Sequence, residues 1–352
     1  MHSLKKLNRI TAVFGLIAVL LAGGCGVSYE EDLPDPGQVG SEELITVGFS
    51  QVGAESDWRK ANTESMQSAF TRERGYELIF EDAQQKQSNQ ITAIRTFIQR
   101  EVDYIVLAPV TEDGWDTVLA EARDANIPVI IVDRQVAVKD KDLFTCWIGS
   151  DFELEAKKAC TWLEDYCRMK RISANDIYIA DIQGTIGSSA QIGRSKGLKE
   201  AVRKNGWHLV DEVPGEYTQA KGREATARLL QSHKDLNVIY CENDNEAFGA
   251  LEAIEAAGRK AGGNLRAGEI MVISFDGVSE LAIDDLRNDS ISCIGECNPL
   301  HGPRVRKVID DLENNIVPEK YEYVDEDIFS AFEDLTEITV EGKNYPVKII
   351  GK

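Results

Sequence analysis

Apolar residues recur along this chain in two patterns, short continuous runs and longer stretches with helical spacing. The run Val129–Val132 is typical of a strand buried on both faces, as in a parallel sheet. The segment Asn245–Ala257 instead brings Ala247, Leu251 and Ile254 to one helix face, which predicts an amphipathic helix. Strands that alternate with such helices form βαβ units, so the pattern predicts an α/β protein with parallel sheets.

The alternation begins at residue 44 and restarts after residue 148, which indicates two similar lobes. The predicted strands are Ile45–Phe49, Glu77–Phe80, Tyr104–Leu107, Pro128–Val132, Phe144–Ile148, Asp176–Ile182, Trp207–Val213, Asn237–Cys241, Ile270–Phe275 and Ser290–Gly295. The predicted helices are Trp58–Arg74, Ser88–Arg100, Trp115–Ala125, Leu154–Tyr166, Ala190–Asn205, Ala220–Ser232, Asn245–Ala257 and Pro303–Asn314. Ligands of open parallel sheets bind beyond the carboxyl ends of the strands, so residues that follow a strand are site candidates.

The first residues have the features of an export signal. Met1–Arg9 carries three basic side chains, and the apolar run Ile10–Leu21 and three small residues lead to Cys25. The apolar run is shorter than the ~20 residues of a membrane-spanning helix, so a secretory signal is predicted. The segment is similar to bacterial lipoprotein signals, which implies cleavage after residue 24 and lipid attachment at Cys25. Those signals usually have Leu where this chain has Ala22, so a plain secretory signal is the alternative.

Composition narrows the class of protein further. Residues 25–43 are rich in Glu, Asp, Pro and Gly, which predicts a flexible tether. The formal charge of -21 over 352 residues argues against a nucleic-acid partner, because phosphate binding needs basic patches. Six further cysteines lack CxxC spacing and a histidine at ligand spacing, so we predict no metal site and expect most of them to be buried. They are Cys146, Cys160, Cys167, Cys241, Cys293 and Cys297.

Polar and aromatic side chains follow most of the predicted strands, whereas the four histidines lie elsewhere. Because a sugar hydroxyl both donates and accepts, Asp, Asn and Arg bind it in pairs, and the C–H face of the ring packs on an aromatic side chain. These strand ends predict a sugar site with Trp58 or Trp115 as the aromatic plate, while Trp147 and Trp162 are expected in the core. Asp244 is left open between a site residue and an N-cap of the next helix.

The segments that carry this chemistry are spread over both halves of the chain. They are Gly48–Gly53, Glu55-Ser56, Trp58-Arg59, Gln84–Gln87, Asn89–Ile91, Ala108–Val110, Gly114-Trp115, Ile127–Val129, Asp133-Arg134, Gln183–Thr185, Arg194, Asn243-Asp244, Asp276–Val278 and Glu296. Together they resemble the galactofuranose-binding proteins of bacterial ABC sugar transporters, within the ribose/galactose-type periplasmic binding proteins. That family shares its fold with the effector domains of LacI-type repressors. Asp57 and Glu242 depart from the pattern, where the relatives have Gly and His, and this leaves the exact sugar open.

The resemblance implies a type I periplasmic-binding-protein fold, with two similar lobes that each contain a parallel sheet flanked by helices. Three crossovers would lie near Ile148–Asp151, Cys293–Asn298 and Tyr323–Ile328. The N-terminal lobe would comprise residues 44–148 plus about 297–325, and the C-terminal lobe residues 149–296 plus about 326–352. The ligand contacts that the resemblance implies are Trp58, Arg59, Asp133, Arg134, Arg194, Asn243, Asp276 and Glu296. Gln51 is added to this set because it follows a predicted strand.

The resulting hypothesis is a monomeric, lipid-anchored extracytoplasmic protein that captures a monosaccharide and delivers it to an ABC permease, without a cofactor. A sugar-sensing protein for a chemoreceptor or a histidine kinase is the alternative. An enzyme is disfavoured because the chain has no Walker loop, GxGxxG, HExxH or GxSxG motif. A glycosidase pair of Asp133 with Asp276 or Glu296 is disfavoured because nearby arginines would hold these acids ionised. We expect Asp133→Ala to abolish sugar binding and to leave the unfolding of the free protein nearly unchanged.

Overall fold

The structure of the protein, a computed structural model, describes residues 44–351. The strands in this range are β1 (Ile45–Gln51), β2 (Tyr76–Asp82), β3 (Tyr104–Leu107), β4 (Val129–Val132), β5 (Cys146–Gly149), β6 (Tyr178–Gln183), β7 (His208–Pro214), β8 (Val238–Cys241), β9 (Met271–Asp276), β10 (Cys293–Glu296), β11 (Tyr321–Tyr323), β12 (Ile328–Ser330), β13 (Glu337–Val340) and β14 (Lys343–Ile349). The helices are α1 (Asp57–Ala69), α2 (Gln87–Gln99), α3 (Asp116–Asp124), α4 (Phe152–Lys170), α5 (Ser189–Asn205), α6 (Gln219–Ser232), α7 (Asp244–Ala256), α8 (Glu280–Arg287) and α9 (His301–Glu313).

The strands form two sheets, each of which is the centre of a lobe. The sheet of the first lobe has the order β11-β5-β4-β3-β1-β2, and all its neighbouring strands are parallel. The sheet of the second lobe has the order β13-β14-β12-β10-β9-β8-β6-β7 and is parallel except at β10–β12 and β13–β14. The order β2-β1-β3-β4-β5 recurs as β7-β6-β8-β9-β10. The predicted α/β architecture of two similar lobes is therefore confirmed, and β4 and β9 occupy equivalent places.

The chain passes between the two lobes three times. The crossing segments are residues 150–151 between β5 and α4, residues 297–300 between β10 and α9, and residues 324–327 between β11 and β12. Helix α9 belongs to the first lobe, because Val305 and Ile309 pack in one core cluster with Val47 of β1. Strand β11 pairs with β5 and β12 pairs with β10, so the last part of the chain is anchored to both sheets.

Apolar layers cover both faces of each sheet, which explains the continuous apolar runs in the strand sequences. In β4, Ile130 and Val132 contact one layer of the first lobe, and Val129 and Ile131 contact the other. All four side chains are buried. Neither face of β4 therefore has a position exposed to solvent until the strand leaves the sheet.

The tryptophans divide between the cores and the space between the lobes. Trp147 and Trp162 lie in core clusters, as predicted. Trp115 is also a core residue with no exposed surface, and its indole N–H donates to the Thr111 carbonyl at 2.7 Å. The prediction of Trp115 as an aromatic plate is therefore wrong, because α3 turns this ring into the first lobe.

Three helices differ clearly from the sequence prediction, and one of them, α4, ends at Lys170, four residues beyond the predicted end at Tyr166. Helix α1 ends at Ala69, earlier than predicted, because Phe70 turns into the core and meets the ring of Tyr76 edge-on, with the centroids 5.1 Å apart. Helix α8 is absent from the prediction. It has 8 residues and buries only Ala282 and Leu286, so its apolar spacing is too short to reveal a period.

The predicted signal (residues 1–24) and tether (residues 25–43), with Cys25, lie outside the described residues. Between residues 44 and 351, no helix is both long and apolar enough to cross a membrane. The six cysteines of this range are all buried and unpaired. This confirms the expectation that most of them serve as small apolar residues.

The contact between α9 and α1 gives a test of the fold. A Cβ atom at Gly302 would lie 2.1 Å from the Ser65 carbonyl oxygen, and the Gly302 N–H donates to the Ser65 hydroxyl at 3.1 Å. We predict that Gly302→Ala lowers the free energy of unfolding by about 1–3 kcal/mol, because the two helices must separate. Lys307→Ala, on the exposed face of α9, should change it by less than about 0.5 kcal/mol. Urea unfolding followed by circular dichroism measures both, and equal effects would contradict the packing.

Candidate functional site

A cavity lies between the two lobes, beyond the carboxyl ends of the parallel strands, where open parallel sheets bind their ligands. Seven of the nine ligand contacts expected from the sequence line it: Trp58, Arg59, Asp133, Arg134, Arg194, Asn243 and Asp276. The other lining residues are Glu55, Ser56, Phe152, Ala190, Tyr217 and Cys297.

Asp133 leaves β4 through a left-handed backbone conformation, with φ of 63°. Its N–H donates to the Ile148 carbonyl at 2.9 Å, and its own carbonyl accepts from the Trp147 indole at 3.0 Å. A Cβ atom on Gly149 would lie 2.4 Å from that carbonyl, so the neighbouring strand requires glycine there. These contacts hold a conformation that costs about 1–3 kcal/mol, and they bring Asp133 and Arg134 into the cavity without an intervening turn.

Asp276 occupies the equivalent place at the end of β9, and its φ is also positive, at 106°. Its carbonyl accepts from the Cys297 N–H at 3.1 Å. The Gly277 N–H donates to the Asp244 carboxylate at 2.8 Å, so Asp244 braces this turn. The N-cap of α7 is Asn243 and not Asp244. Asp244 does not line the cavity either, so it supports the site from behind. Each lobe therefore presents one acid from an equivalent strand end.

Arg59 of α1 is the partner of Asp133. One terminal nitrogen of its guanidinium lies 2.8 Å from the Asp133 carboxylate, and its Nε donates to Glu55 at 3.1 Å. The guanidinium also donates to the Gln51 side chain at 3.1 Å and lies 4.7 Å from the Trp58 ring centroid. Burial lowers the pKa of Arg59, but the charges of Asp133 and Glu55 outweigh it, so the pKa is raised overall. Gln51 thus lies behind Arg59 and orients it.

Arg194 of α5 takes the corresponding place in the second lobe. Its Nε donates to the Glu155 carboxylate at 2.8 Å, and one terminal nitrogen donates to the Glu242 carbonyl. The other terminal nitrogen lies 3.7 Å from the Asp276 carboxylate and has no hydrogen-bond partner among residues 44–351. Burial lowers the pKa of Arg194, but Glu155 in particular raises it well above its ordinary value. A donor is therefore available at the cavity.

Arg134 links the first lobe to Tyr217 of the second. Its guanidinium lies 5.2 Å from the Tyr217 ring centroid and donates to the Val110 carbonyl at 2.9 Å. Tyr217 is fixed from behind, since its N–H donates to the Glu246 carboxylate at 2.8 Å. The ring also lies directly over Gly184, where a Cβ atom would come within 1.8 Å. Tyr217 therefore forms a rigid wall of the cavity that only glycine at position 184 permits.

Acidic and basic side chains line the cavity in equal number. The three acids and three bases are Glu55, Asp133, Asp276, Arg59, Arg134 and Arg194. Burial raises the pKa of Asp276 well above its ordinary value, and Arg194 opposes this shift. The expectation that the neighbouring arginines hold these acids ionised is therefore wrong for Asp276. A neutral polar ligand suits such a site, because a charged ligand would add a buried charge without a partner.

Hydrogen bonds across the cavity hold the lobes together. The Trp58 indole donates to the Cys297 carbonyl at 2.8 Å, which ties α1 to the second crossing segment. Three backbone N–H groups of the first lobe donate to oxygens of the second at 2.8–3.0 Å: Asp57 to Asn245, Glu112 to Gly187 and Gln135 to Ser189. The described arrangement is thus a closed one, with the cavity enclosed by both lobes.

The two departures from the family pattern lie at the edge of the site. Asp57 begins α1, and its carboxylate accepts from Lys60 at 3.2 Å on the surface. Glu242 is fully buried behind the cavity, where its carboxylate accepts from the Gly184 N–H and from the Ser195 hydroxyl, both at 2.8 Å. Neither side chain lines the cavity, so each would affect ligand binding only through the residues it contacts.

Two expectations about the site need correction. Glu296 does not line the cavity, because its carboxylate accepts from the Asp327 N–H at 2.8 Å and so joins β10 to the third crossing segment. His301 does not lie away from the site. It has no exposed surface, its ring centroid is 5.8 Å from that of Trp58, and burial lowers its pKa to about 4. It is a neutral support beneath the aromatic plate.

The other lining residues differ in how far the sequence alone could have identified them. Glu55 was identifiable, because it stands four residues before Arg59 at the start of a helix, where the two side chains face each other. Tyr217 carries no such signal. It follows β7 in a turn where Glu216 and Tyr217 both have positive φ, at 56° and 60°. Cys297 reaches the cavity only because the second crossing segment passes beside it.

Proteins of known function resemble this chain in sequence and in fold. The periplasmic binding protein domain profile matches residues 47–292. The galactofuranose-binding protein YtfQ of Escherichia coli (strain K12) is 35% identical over 280 residues, which cover 78% of this chain and 85% of that protein. A structure from Mycobacterium smegmatis in complex with β-D-fucofuranose has a TM-score of 0.77 and 36% identity, with 82% of this chain and 92% of that one covered. The periplasmic binding protein of the arabinose ABC transporter from Shewanella sp. ANA-3, bound to α- and β-L-arabinofuranose, has a TM-score of 0.74 and 37% identity, covering 81% and 91%.

The Asp133–Arg59 pair predicts that Asp133 also stabilises the free protein. Removal of the carboxylate leaves two buried guanidinium groups with fewer counter-charges, so Asp133→Ala should lower the free energy of unfolding by about 3–5 kcal/mol. This revises the expectation of nearly unchanged unfolding. Asp113→Ala, at an exposed position of the same lobe, is the control and should have almost no effect. Urea unfolding without sugar measures both, and a loss below about 1 kcal/mol for Asp133→Ala contradicts the pairing.

Proposed function

The chain belongs to the periplasmic binding protein family, and from this we propose that it captures one monosaccharide between its lobes and delivers it to an ABC permease. We propose further that the sugar is bound as a furanose. The named Escherichia coli relative is a galactofuranose-binding protein, and the two solved structures contain fucofuranose and arabinofuranose. Transport is favoured over sensing because the Shewanella relative is a transporter component.

The charge-balanced cavity is the observation that carries this proposal. Three acids and three arginines are buried together, and both charge types hydrogen-bond hydroxyl groups strongly. A neutral molecule with many hydroxyls is the ligand that uses every one of these groups without adding charge.

Each lining residue then has a distinct proposed role. Asp133 and Asp276 accept from hydroxyls on opposite sides of the sugar, one from each lobe. Arg194 donates through its free terminal nitrogen. Asn243 contributes an amide that already donates to the Tyr217 carbonyl at 3.2 Å. The aromatic plate is Trp58, which the guanidinium of Arg59 and the imidazole of His301 hold from two sides.

Lobe closure is the proposed signal to the permease. The residues that accept and donate to the sugar come from both lobes, so a bound sugar stabilises the closed arrangement over an open one. Hinge movement at the crossing segments then changes the outer surface that both lobes present together. We propose that the protein acts as a monomer.

We propose that the protein makes and breaks no bonds in the sugar. Asp133 is ion-paired with Arg59 and Asp276 lies near Arg194, so both acids have a binding partner of their own. The relatives reported above are named for binding and transport. An aryl furanoside incubated with the protein should therefore release no phenol.

The ring size of the sugar can be tested directly. Anhydro-sugars locked in a five-membered or a six-membered ring can be titrated by calorimetry, and we predict at least about tenfold tighter binding of the five-membered form, or about 1.4 kcal/mol. If neither locked form binds, and free galactose, arabinose and fucose do not bind either, the sugar proposal is overturned. Preference for the six-membered ring would overturn the furanose proposal alone.

Asp276→Asn tests the role of the second-lobe acid. The change keeps the shape of the side chain but replaces a carboxyl oxygen by an amide nitrogen that cannot accept from the sugar, so sugar affinity should fall by about 30-fold or more, or at least about 2 kcal/mol. Asp334→Asn, at an exposed position of the same lobe, should bind as the wild type does. Calorimetric titration with the best sugar measures both, and unchanged affinity for Asp276→Asn contradicts the assignment.

The N-terminal signal leads to a separate proposal, attachment of lipid at Cys25 after removal of residues 1–24. Cells fed a labelled fatty acid should incorporate the label into the wild-type protein and not into Cys25→Ser. The variant should also leave the membrane fraction. Label retained in Cys25→Ser would contradict lipid attachment at this cysteine.

A further inference from the structure

The three crossing segments meet at one group of side chains beside the cavity. The Ser150 hydroxyl of the first segment donates to Glu326 of the third at 2.6 Å and lies 3.3 Å from the Cys297 sulfur of the second. The Asn298 N–H of the second segment donates to the same Glu326 oxygen at 2.7 Å. Glu326 therefore accepts one hydrogen bond from each of the other two crossing segments.

Glu155 of α4 connects this group to the cavity. A carboxylate oxygen of Glu155, one of Glu326 and the Cys297 sulfur all lie within 4.8 Å of one another. One Glu155 oxygen accepts from Arg194 Nε at 2.8 Å. The second Glu155 oxygen is buried and has no hydrogen-bond partner among the residues the structure describes.

Two buried carboxylates this close repel each other, and either a cation or a proton would relieve the repulsion. A metal ion is disfavoured by the positive charges already in place, Arg194 on Glu155 and Lys158, whose ammonium donates to the Glu326 carbonyl at 2.6 Å. Burial raises the pKa of Glu155, and burial followed by the Glu155 charge raises the pKa of Glu326 to about 9. A proton satisfies the orphaned oxygen and removes one of the two like charges.

We propose that Glu155 and Glu326 share one proton, and that this carboxyl pair positions Arg194 for the sugar while it joins the three crossing segments in the closed form. The role toward the sugar rests on the proposed function, whereas the shared proton does not. Glu155 and Glu326 act through Arg194 and the crossing segments and are positioning residues.

Lobe opening bends the crossing segments and should separate the two carboxyls, since Glu326 lies in a crossing segment and Glu155 in a helix of the second lobe. Closure then takes up one proton, and its advantage is fully present below the ordinary glutamate pKa of ~4.3 and is lost as the pH rises through about 9. Sugar affinity should therefore fall with rising pH. Other groups that face the pair contribute to the profile: Lys158, Arg194, Asp276, Cys297 and Asp327.

Glu326→Gln separates the pair from these other groups. The glutamine oxygen can accept from Ser150 and Asn298, and its amide can donate to Glu155 without a titrating proton. We predict that, between about pH 6 and pH 9, the wild type loses at least about tenfold more affinity than Glu326→Gln, measured by calorimetry with the best sugar. Glu326→Ala should bind weakly at every pH, so the conservative variant rescues it. Glu319→Gln, which makes the same charge change at an exposed position, should follow the wild type.

Parallel pH profiles for the wild type and Glu326→Gln would overturn the proposal. The shared proton has a readout without sugar, an infrared band of a protonated carboxyl at neutral pH that Glu326→Gln removes. If no sugar binds the wild type, the proposed function fails, while this band still decides whether the pair is protonated. A stoichiometric zinc ion that native mass spectrometry detects in the wild type and not in Glu326→Gln would overturn the proton in favour of a metal.

Discussion

The closed arrangement depends on the mutual neutralisation of charges that the lobes bury together. An isolated buried charge costs several kcal/mol, so each arginine of the cavity needs a carboxylate within reach. Arg59 meets Asp133 at 2.8 Å in the first lobe, and Arg194 meets Glu155 at 2.8 Å in the second. The strand ends β4 and β9 then place Asp133 and Asp276 on opposite sides of one space. Because acidic and basic groups line this space in equal number, it suits a neutral ligand with many hydroxyls.

The same charge pairs connect the cavity to the parts of the chain that must move. In the first lobe, Arg59 donates to Gln51, whose amide donates to Asn62, and Asn62 donates to the Pro299 carbonyl of the second crossing segment. In the second lobe, Arg194 leads through Glu155 to the group around Glu326. Each lobe therefore has a chain of hydrogen bonds from a ligand-facing arginine to a crossing segment. A ligand that binds either arginine would therefore be connected through these contacts to a crossing segment.

The fold and much of the site could be predicted from the sequence, because both follow from one rule. Continuous apolar runs end where a parallel strand leaves its sheet, and Asp133-Arg134 appear at such an end. The rule locates strand ends but not side-chain directions, so Trp115 was expected in the cavity and lies in the core. The rule also does not predict contacts between segments that are distant in the sequence. Tyr217, Cys297 and His301 reach the site through a turn and through the second crossing segment, and Glu296 is turned away from it by a bond to Asp327.

The identity of the occupant of the cavity tests the central claim most directly. Protein purified gently from the cell that makes it can be analysed by native mass spectrometry, and the released small molecule can be weighed. The geometry predicts one neutral monosaccharide for each chain, lost when the protein is unfolded and refolded, and regained from a mixture of pentoses and hexoses. A charged ligand, an oligosaccharide, or a refolded protein that takes up no sugar from that mixture would contradict it.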